Sequence, residues 1–237
     1  MTVIREFEQR EPYADYATQK GWVSDYVAED EAYYDALWTE AGLGAGQRIL
    51  EIGFGAGSFL DWALSHGHKP IGVDILPEIL ASTAARGHDV RQGPLRRETF
   101  TTERFDVVCA FDVFEHLTAQ GIHEYIGICL DLFDGPPRFL LRFPNGESPL
   151  SSVHQNSDLT HKTILSLSII NQILFEHNLH ARALIFKCYP TGILKKIRRM
   201  IAYILQFMIS TLLGLAYFGG KINLNVNLEV LVTERPR

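Results

Sequence analysis

Ile49-Leu50-Glu51-Ile52-Gly53-Phe54-Gly55-Ala56-Gly57-Ser58 sets a short apolar run directly before a glycine-rich turn, and an amphipathic stretch follows from Ser58. The run reads as a buried strand and the stretch as a helix. Glycine is needed between them because the turn demands unusual backbone angles and because a ligand has to approach bare peptide groups. Asp74 ends the next apolar run, about twenty residues on, where an acid can accept both hydroxyls of a ribose. A tight glycine turn with no ligand is the plainer alternative, and the strand before it and the acid after it argue against that.

Outward from this turn, short apolar runs alternate with amphipathic stretches, the pattern of βα units in a parallel sheet. Strands are predicted at 48–52, 70–74, 88–92, 105–111, 138–143, 181–188 and 222–234. Helices are predicted at 58–66, 77–86, 119–133 and 162–178, the last closed by His177-Asn178. Before the sheet, residues 1–44 form an aromatic, acidic helical cap, with Tyr26, Tyr33, Leu37 and Ala41 at helical spacing. Residues 144–161 are rich in Pro, Gly, Ser and Asn without an apolar period, which predicts a long functional loop. No internal repeat or low-complexity linker interrupts the chain, so 1–237 reads as one domain.

Composition narrows the function classes. The chain has 237 residues, 46% hydrophobic, with 28 acidic residues against 22 Lys plus Arg. That excludes disorder and a basic nucleic-acid binder, and the length supports a full core without metal or disulfide staples. Cys109, Cys129 and Cys188 are odd in number and lack C-x-x-C spacing, so they read as reduced core thiols of a cytoplasmic protein. Glu6, Glu8, Glu11 and Asp15, with no apolar run, give the first residues the wrong composition for a targeting segment. Lys187, Lys195, Lys196, Arg198 and Arg199 gather without an acid between them, which suggests a localised partner for that end.

Dinucleotides and S-adenosylmethionine both use a glycine turn of this kind. A pyrophosphate binder wants G-x-G-x-x-G/A, whereas here Ser58 stands at the third small position. The segments E-I-G-F-G-A-G (51–57), G-V-D-I (72–75) and F-D-V-V-C-A-F-D-V-F-E-H-L (105–117) resemble the motifs of class I S-adenosylmethionine-dependent methyltransferases, of the type 11 or 12 kind. The resemblance covers about residues 45–188. It implies a Rossmann-like α/β fold with a seven-stranded, mostly parallel sheet of order 3-2-1-4-5-7-6, helices on both faces and the last strand antiparallel. It also implies S-adenosylmethionine as cofactor and S-adenosylhomocysteine as product. Carried over, Gly53, Phe54, Gly55 and Gly57 surround the methionine half, Glu51 acts through the loop or the methionine ammonium, and Phe111 offers its backbone. Asp74 and the adjoining Ile75 hold the ribose side. Where the family often has an acid after the third strand, this chain reads Gln92-Gly93-Pro94-Leu95, so adenine is left to the backbone and Leu95.

Methyl transfer to an alcohol needs an oriented acceptor and removal of its proton, and histidine suits that base. Acceptors of open α/β sheets approach from the carboxyl ends of the strands, which selects His116 after the fourth strand and His154 and His161 after the fifth. Were the segment helical, Asp112, Glu115 and His116 would share a face. The D-V-F-E-H stretch resembles the corresponding segment of ubiquinone-pathway O-methyltransferases, which implies that a divalent metal is possible there; no metal site is assigned. The alternatives are a helix-start carboxylate for Glu115 and a packed or solvent-facing ring for His116. The stretch Pro144-Asn145…Asp158-Leu159-Thr160-His161 resembles methyltransferases of polysaccharide and O-antigen biosynthesis and makes His161 the first choice of base and His154 the second. The alternative is that Thr160 or Asp158 caps helix 162–178 and His161 merely rides on it.

From Met200 to Gly220 no residue is charged, a length that would cross about 30 Å of hydrocarbon as a helix. Predicted strands on both sides of it belong to one sheet, which a single span cannot serve, and Gly214 could break it into a hairpin. Lys196, Arg199, Tyr203, Gln206 and Ser210 recur at helical spacing as a polar stripe. A helix lying in a membrane interface through 192–220 fits this, with a lid or dimer helix as the alternative. The sequence thus reads as a cytoplasmic S-adenosylmethionine-dependent O-methyltransferase, peripheral at the inner membrane face. Its acceptor would be a small molecule, a glycan or a lipid-linked glycan. A quinone or phenolic lipid is the runner-up acceptor, with a catalytically silent binding module behind it.

Overall fold

The computed structural model describes residues 28–186, 192–220 and 222–236. The strands are β1 (Arg48–Ile52), β2 (Lys69–Asp74), β3 (Asp89–Gln92), β4 (Val107–Phe111), β5 (Phe139–Pro144), β6 (Leu179–Ala183) and β7 (Asn227–Glu234). They form one sheet of order β3-β2-β1-β4-β5-β7-β6. Only β7 runs antiparallel, to β5 and to β6, as the sequence motifs implied. The helices are α1 (Ala28–Ala41), α2 (Ser58–Ser65), α3 (Pro77–Ala85), α4 (Ala119–Leu130), α5 (Ser152–Asn156), α6 (Leu167–Phe175) and α7 (Ile193–Leu213).

Side-chain alternation along the strands feeds two cores. Leu50, Ile52, Val108, Ala110 and Leu141 point to one face and meet Ile122 and Ile126 of α4 and Ile170 and Leu174 of α6. Ile49, Val107, Cys109 and Leu140 point to the other and meet Leu37 and Trp38 of α1 and Phe59 and Trp62 of α2. The N-terminal cap is therefore helical from Ala28, and its earlier part lies outside the described residues. Cys109 and Cys129 are buried free thiols, as composition suggested, while Cys188 lies outside the described residues.

Several boundaries differ from the sequence reading, each for a local reason. The helix predicted over 162–178 starts only at Leu167, capped by the Ser166 hydroxyl, which accepts from Ile169 N at 3.1 Å. The residues before it are drawn across the end of β4 instead: Lys162 N and Thr163 N donate to the Glu115 carbonyl at 2.8 and 3.1 Å. Neither Thr160 nor Asp158 is a cap. The loop 144–161 carries the short helix α5. The sixth strand comes earlier than 181–188 because the Asn171 side chain fixes it, accepting from Ala181 N at 2.8 Å and donating to Ala181 O at 3.0 Å. Of the predicted strand, Lys187 and Cys188 lie outside the described residues. The last strand begins at Asn227, not 222, since Asn145 takes up the preceding backbone: its N donates to Val226 O and its Nδ2 to Asn225 O. Gly214 does not break the apolar segment into a hairpin; α7 runs on into a wide turn at Gly214–Phe218.

Phe139 on β5 is 1% exposed and its ring lies 5.3 Å from Phe133. Phe139→Ala is expected to cost about 3–5 kcal/mol by removing this core ring, read as a lower midpoint of urea unfolding.

Candidate active site

A cavity of about 480 Å³ opens at the carboxyl ends of β1, β2, β4 and β5, a volume within the range of small-molecule sites. Glu51, Gly53 and Phe54 line it from β1 and the turn, and Asp74 and Ile75 from the end of β2. Leu95 and Phe111, the remaining cofactor residues expected to face the ligand, line it too. Gly55 and Gly57, also expected at the cofactor, are not among the residues that line it. Gly55 N donates to Asp74 Oδ2 at 3.1 Å, and Leu76 N donates to Asp74 Oδ1 at 3.0 Å, so the acid is oriented by the turn it faces. Gly53 and Gly57 have φ of 71° and 82°, the left-handed region that favours glycine. A Cβ on Gly53 would also strike Val113, and one on Gly57 would strike Arg86. Arg86 is there because its Nη2 donates to Ala56 O at 2.6 Å and holds the turn from below.

The electrostatics of the cavity centre on Glu51. It is 3% exposed, and its Oε2 has no hydrogen-bond partner. Burial, reinforced by Asp74, pushes its carboxyl well above the ordinary range, with Arg142 opposing. A buried acceptor without a donor suits a ligand that brings a cation, and S-adenosylmethionine carries an ammonium and a sulfonium. Asp74 adds a second acid with acceptor capacity, its own carboxyl raised by burial against the backbone donors. The residues present therefore fit this cofactor. Tyr125, which also lines the cavity beside Leu95, supplies an aromatic wall that no sequence motif marked.

Arg142, Tyr33, Tyr34 and Glu229 were also missed. Arg142 of β5 donates through Nε to both oxygens of Asp112 at 3.1 and 3.0 Å, and through Nη2 to Oδ2. Its guanidinium lies 5.5 Å from the ring centres of both Tyr33 and Phe111. The Tyr33 hydroxyl donates to Glu229 Oε1 at 3.0 Å, which ties α1 to the sheet over the cavity, while Tyr34 lines the cavity itself. Burial raises both tyrosine hydroxyls far beyond titration at working pH. The available signal was a charge inside an apolar strand, Arg142 in FLLRFP and Glu229 in NLEVLV.

The expected shared face of Asp112, Glu115 and His116 does not form. Asp112 takes φ 57° and turns to Arg142, and Phe114–His116 is a single 3₁₀ turn. Glu115 and His116 meet His161 instead, with one ligand atom of each within 4.8 Å of the others. The two imidazole rings are 4.8 Å apart, edge to face. His161 Nδ1 lies 2.9 Å from the Gln155 carbonyl, which can only accept. In the neutral ring Nδ1 therefore carries the proton and Nε2 the lone pair. The Thr160 hydroxyl donates to Asp158 at 2.6 Å and so accepts from His116 Nδ1 at 2.8 Å. All three expected histidines, His116, His154 and His161, line the one cavity. Two imidazoles and a carboxyl at this spacing can move a proton or hold a divalent cation.

Burial pushes the Glu115 carboxyl up to about 8, with Asp112 adding to it. A carboxyl raised this far binds its proton in the folded state before it does so unfolded, so its contribution to stability falls as pH rises from about 4.5 to about 8. Unfolding free energies measured with a chelator present are expected to fall across that window by on the order of 1 kcal/mol per pH unit. Glu115→Gln should flatten that slope, and an unchanged slope would remove Glu115 as its source.

Residues 50–125 match a family model described as a methyltransferase domain. Among solved structures, a SAM-dependent methyltransferase from Archaeoglobus fulgidus is similar with a TM-score of 0.60 at 18% identity, over 81% of this chain and 87% of that one. An S-adenosylmethionine-dependent methyltransferase from Mesorhizobium loti gives a TM-score of 0.56 at 15% identity, over 86% of this chain and 98% of the other. The plantazolicin methyltransferase BpumL, solved in complex with S-adenosylhomocysteine, gives 0.55 at 14% identity, over 99% and 90%. No curated protein sequence matches the chain. At these identities the structures speak for the fold, and the matched domain speaks for the chemistry. With the glycine turn, the sheet order and a buried acid awaiting a cation, they give the chain a methyltransferase domain over residues 50–125 set in a Rossmann-like methyltransferase fold, consistent with an S-adenosylmethionine-dependent enzyme.

Proposed function

We propose that this methyltransferase, working as one domain, methylates a hydroxyl oxygen of a glycan or lipid-linked glycan at the cytoplasmic face of a membrane, with His161 as general base. The observation that carries this is the His161 ring, whose Nδ1 is engaged by the Gln155 carbonyl and which lines the same cavity as Glu51 and Asp74. The cofactor supplies a methyl group on a cationic sulfur. The chain's own residues do the rest. Glu51 accepts the ammonium, Asp74 the ribose hydroxyls, and Leu95, Ile75 and Tyr125 wall the base. Tyr34 and the α1 helix close the cavity against water. His161 Nε2 would take the proton of the acceptor hydroxyl as that oxygen becomes the nucleophile for the methyl group the cofactor would supply. His154 and His116 are the neighbouring alternatives. The glycan assignment draws on the Pro144…His161 stretch, five of whose residues, Pro144, His154, Ser157, Asp158 and His161, line the cavity.

A second reading, a phenolic or quinone acceptor with a divalent cation on Glu115, His116 and His161, is favoured by the 4.8 Å grouping of those three. A cation would there lower the acceptor's pKa and the base would matter less.

His161→Ala is expected to lower kcat by ~10²–10⁴ while S-adenosylhomocysteine binding, measured by calorimetry, stays as in the parent. Full turnover in that variant would move the base to His154 or His116, and loss of turnover on chelation, restored by Mg²⁺, would favour the metal-assisted reading. Glu51→Gln should weaken S-adenosylhomocysteine about 10- to 100-fold by removing a charged acceptor. Because burial holds the Glu51 proton and a bound ammonium favours its release, parent affinity should rise with pH above the ordinary carboxylate range. The Gln variant should lack that rise.

A further inference from the structure

α7 and the turn that extends it, Ile193–Phe218, form a helix long and apolar enough to cross a membrane, yet only 6% of its apolar window is buried against the protein. Ile197, Ile201, Ile204, Met208, Leu212 and Leu215 follow one another at three- and four-residue steps and are all exposed, so they make one continuous stripe. Lys196, Arg199, Tyr203, Gln206 and Ser210 occupy the opposite side of the same helix. That second side is where the chain folds back. Gly219, at φ 69°, ends the helix, Gly220 N donates to Gly214 O at 3.2 Å, and the Ser210 hydroxyl donates to the Ile222 carbonyl.

The sheet fixes where this excursion starts and ends. β6 and β5 both run antiparallel to β7, so they run parallel to each other, and Ala183 and Pro144 mark the same carboxyl edge. β7 begins at that edge, with Asn227 paired to Pro144, and both of these residues line the cavity. The helix therefore leaves and re-enters the sheet beside the site. A span would require residues 219–226 to recross hydrocarbon as non-helical backbone carrying Asn223 and Asn225, which the bilayer does not tolerate.

We infer that α7 is an interfacial helix that docks the enzyme on an anionic phospholipid surface and turns the mouth of the cavity toward the headgroups, so that the acceptor is a molecule anchored in that surface. The choice of occupant rests on charge: Lys195, Lys196, Arg198 and Arg199 are exposed at the start of the helix, and no acid occurs from Gly192 to Leu228. That basic end beside an apolar stripe complements anionic headgroups over acyl chains. The acceptor part of the inference rests on the methyltransferase reading above; the docking part does not.

The test is flotation of the purified full chain with vesicles of phosphatidylcholine alone or mixed with phosphatidylglycerol, with S-adenosylhomocysteine affinity measured on the same preparation. The expected result is flotation with the mixed vesicles, little with phosphatidylcholine alone, and weakening as salt rises. Reversing Lys195→Glu, Lys196→Glu, Arg198→Glu and Arg199→Glu together should lower partitioning by about a thousandfold or more with cofactor affinity unchanged. Ile201→Asn with Met208→Asn should do the same through the apolar stripe. Flotation without cofactor binding would sink the cofactor reading and leave docking intact. Cofactor binding without flotation overturns docking. A stable dimer in which α7 is shielded, seen by light scattering and indifferent to vesicles, also overturns it and makes a second copy of this chain the occupant.

Discussion

A carboxyl group at the end of β1, closed off from water with one oxygen unpartnered, is the constraint around which the rest of the site is arranged. Leaving a buried acceptor without a donor costs on the order of 1–3 kcal/mol, and the fold retains it in Glu51. Its neighbours do not relieve it. Asp74 raises its pKa further, and Arg142, the cation that opposes this, is already committed to Asp112. Asp74 for its part is held by the amides of Gly55 and Leu76. What remains is a buried carboxyl that holds its proton and keeps one oxygen unpartnered, at the floor of a cavity walled by Phe54, Phe111 and Leu95, where an incoming cation favours its ionisation. Such a cavity discriminates by charge first: a dianionic pyrophosphate would meet two acids, while a cationic amino acid meets two acceptors. The same reasoning that set the glycine spacing against a dinucleotide thus recurs in the electrostatics.

The Arg142 cluster gives that potential its rigidity. Arg142 and Glu229 are cross-strand partners on β5 and β7, and Tyr33 bridges from α1 to Glu229. One guanidinium thereby joins the parallel part of the sheet, the antiparallel strand and the N-terminal helix at a single point beside the cavity. Asp112 adopts a left-handed backbone to reach it. A non-glycine residue held there carries strain of order 1 kcal/mol or more, which persists only where surrounding contacts over-determine it. The bidentate pair supplies that determination.

The parts of this arrangement that follow local rules were legible in the sequence. β1, the glycine turn, Asp74 and the alternation of strands and helices are set by neighbours a few residues apart, and the strand order came from motif resemblance. The parts set by distant partners were not. Nothing near Lys162 announces that its amide will bond the Glu115 carbonyl and delay α6 by a full turn. Nor does Asp112 announce Arg142, thirty residues on, so the sequence spacing wrongly placed Asp112 with Glu115 and His116. The three histidines fall at the cavity because position at the carboxyl edge constrains them. Which groups orient them, Gln155 through its carbonyl and Thr160 through Asp158, required the loop's folded path.

The antiparallel seventh strand links these local details to the placement of α7. Had β7 run parallel, its connection from β6 would have crossed to the far edge of the sheet and α7 would have packed on a face as an ordinary crossover helix. Because β7 is reversed, the connection has no need to cross, and the intervening helix is left at the carboxyl edge with its apolar side uncovered. The same reversal brings Asn227 to the cavity opposite Pro144. One topological choice thus sets an apolar, basic-ended helix and the Pro144–Asn227 wall of the cavity on a single edge.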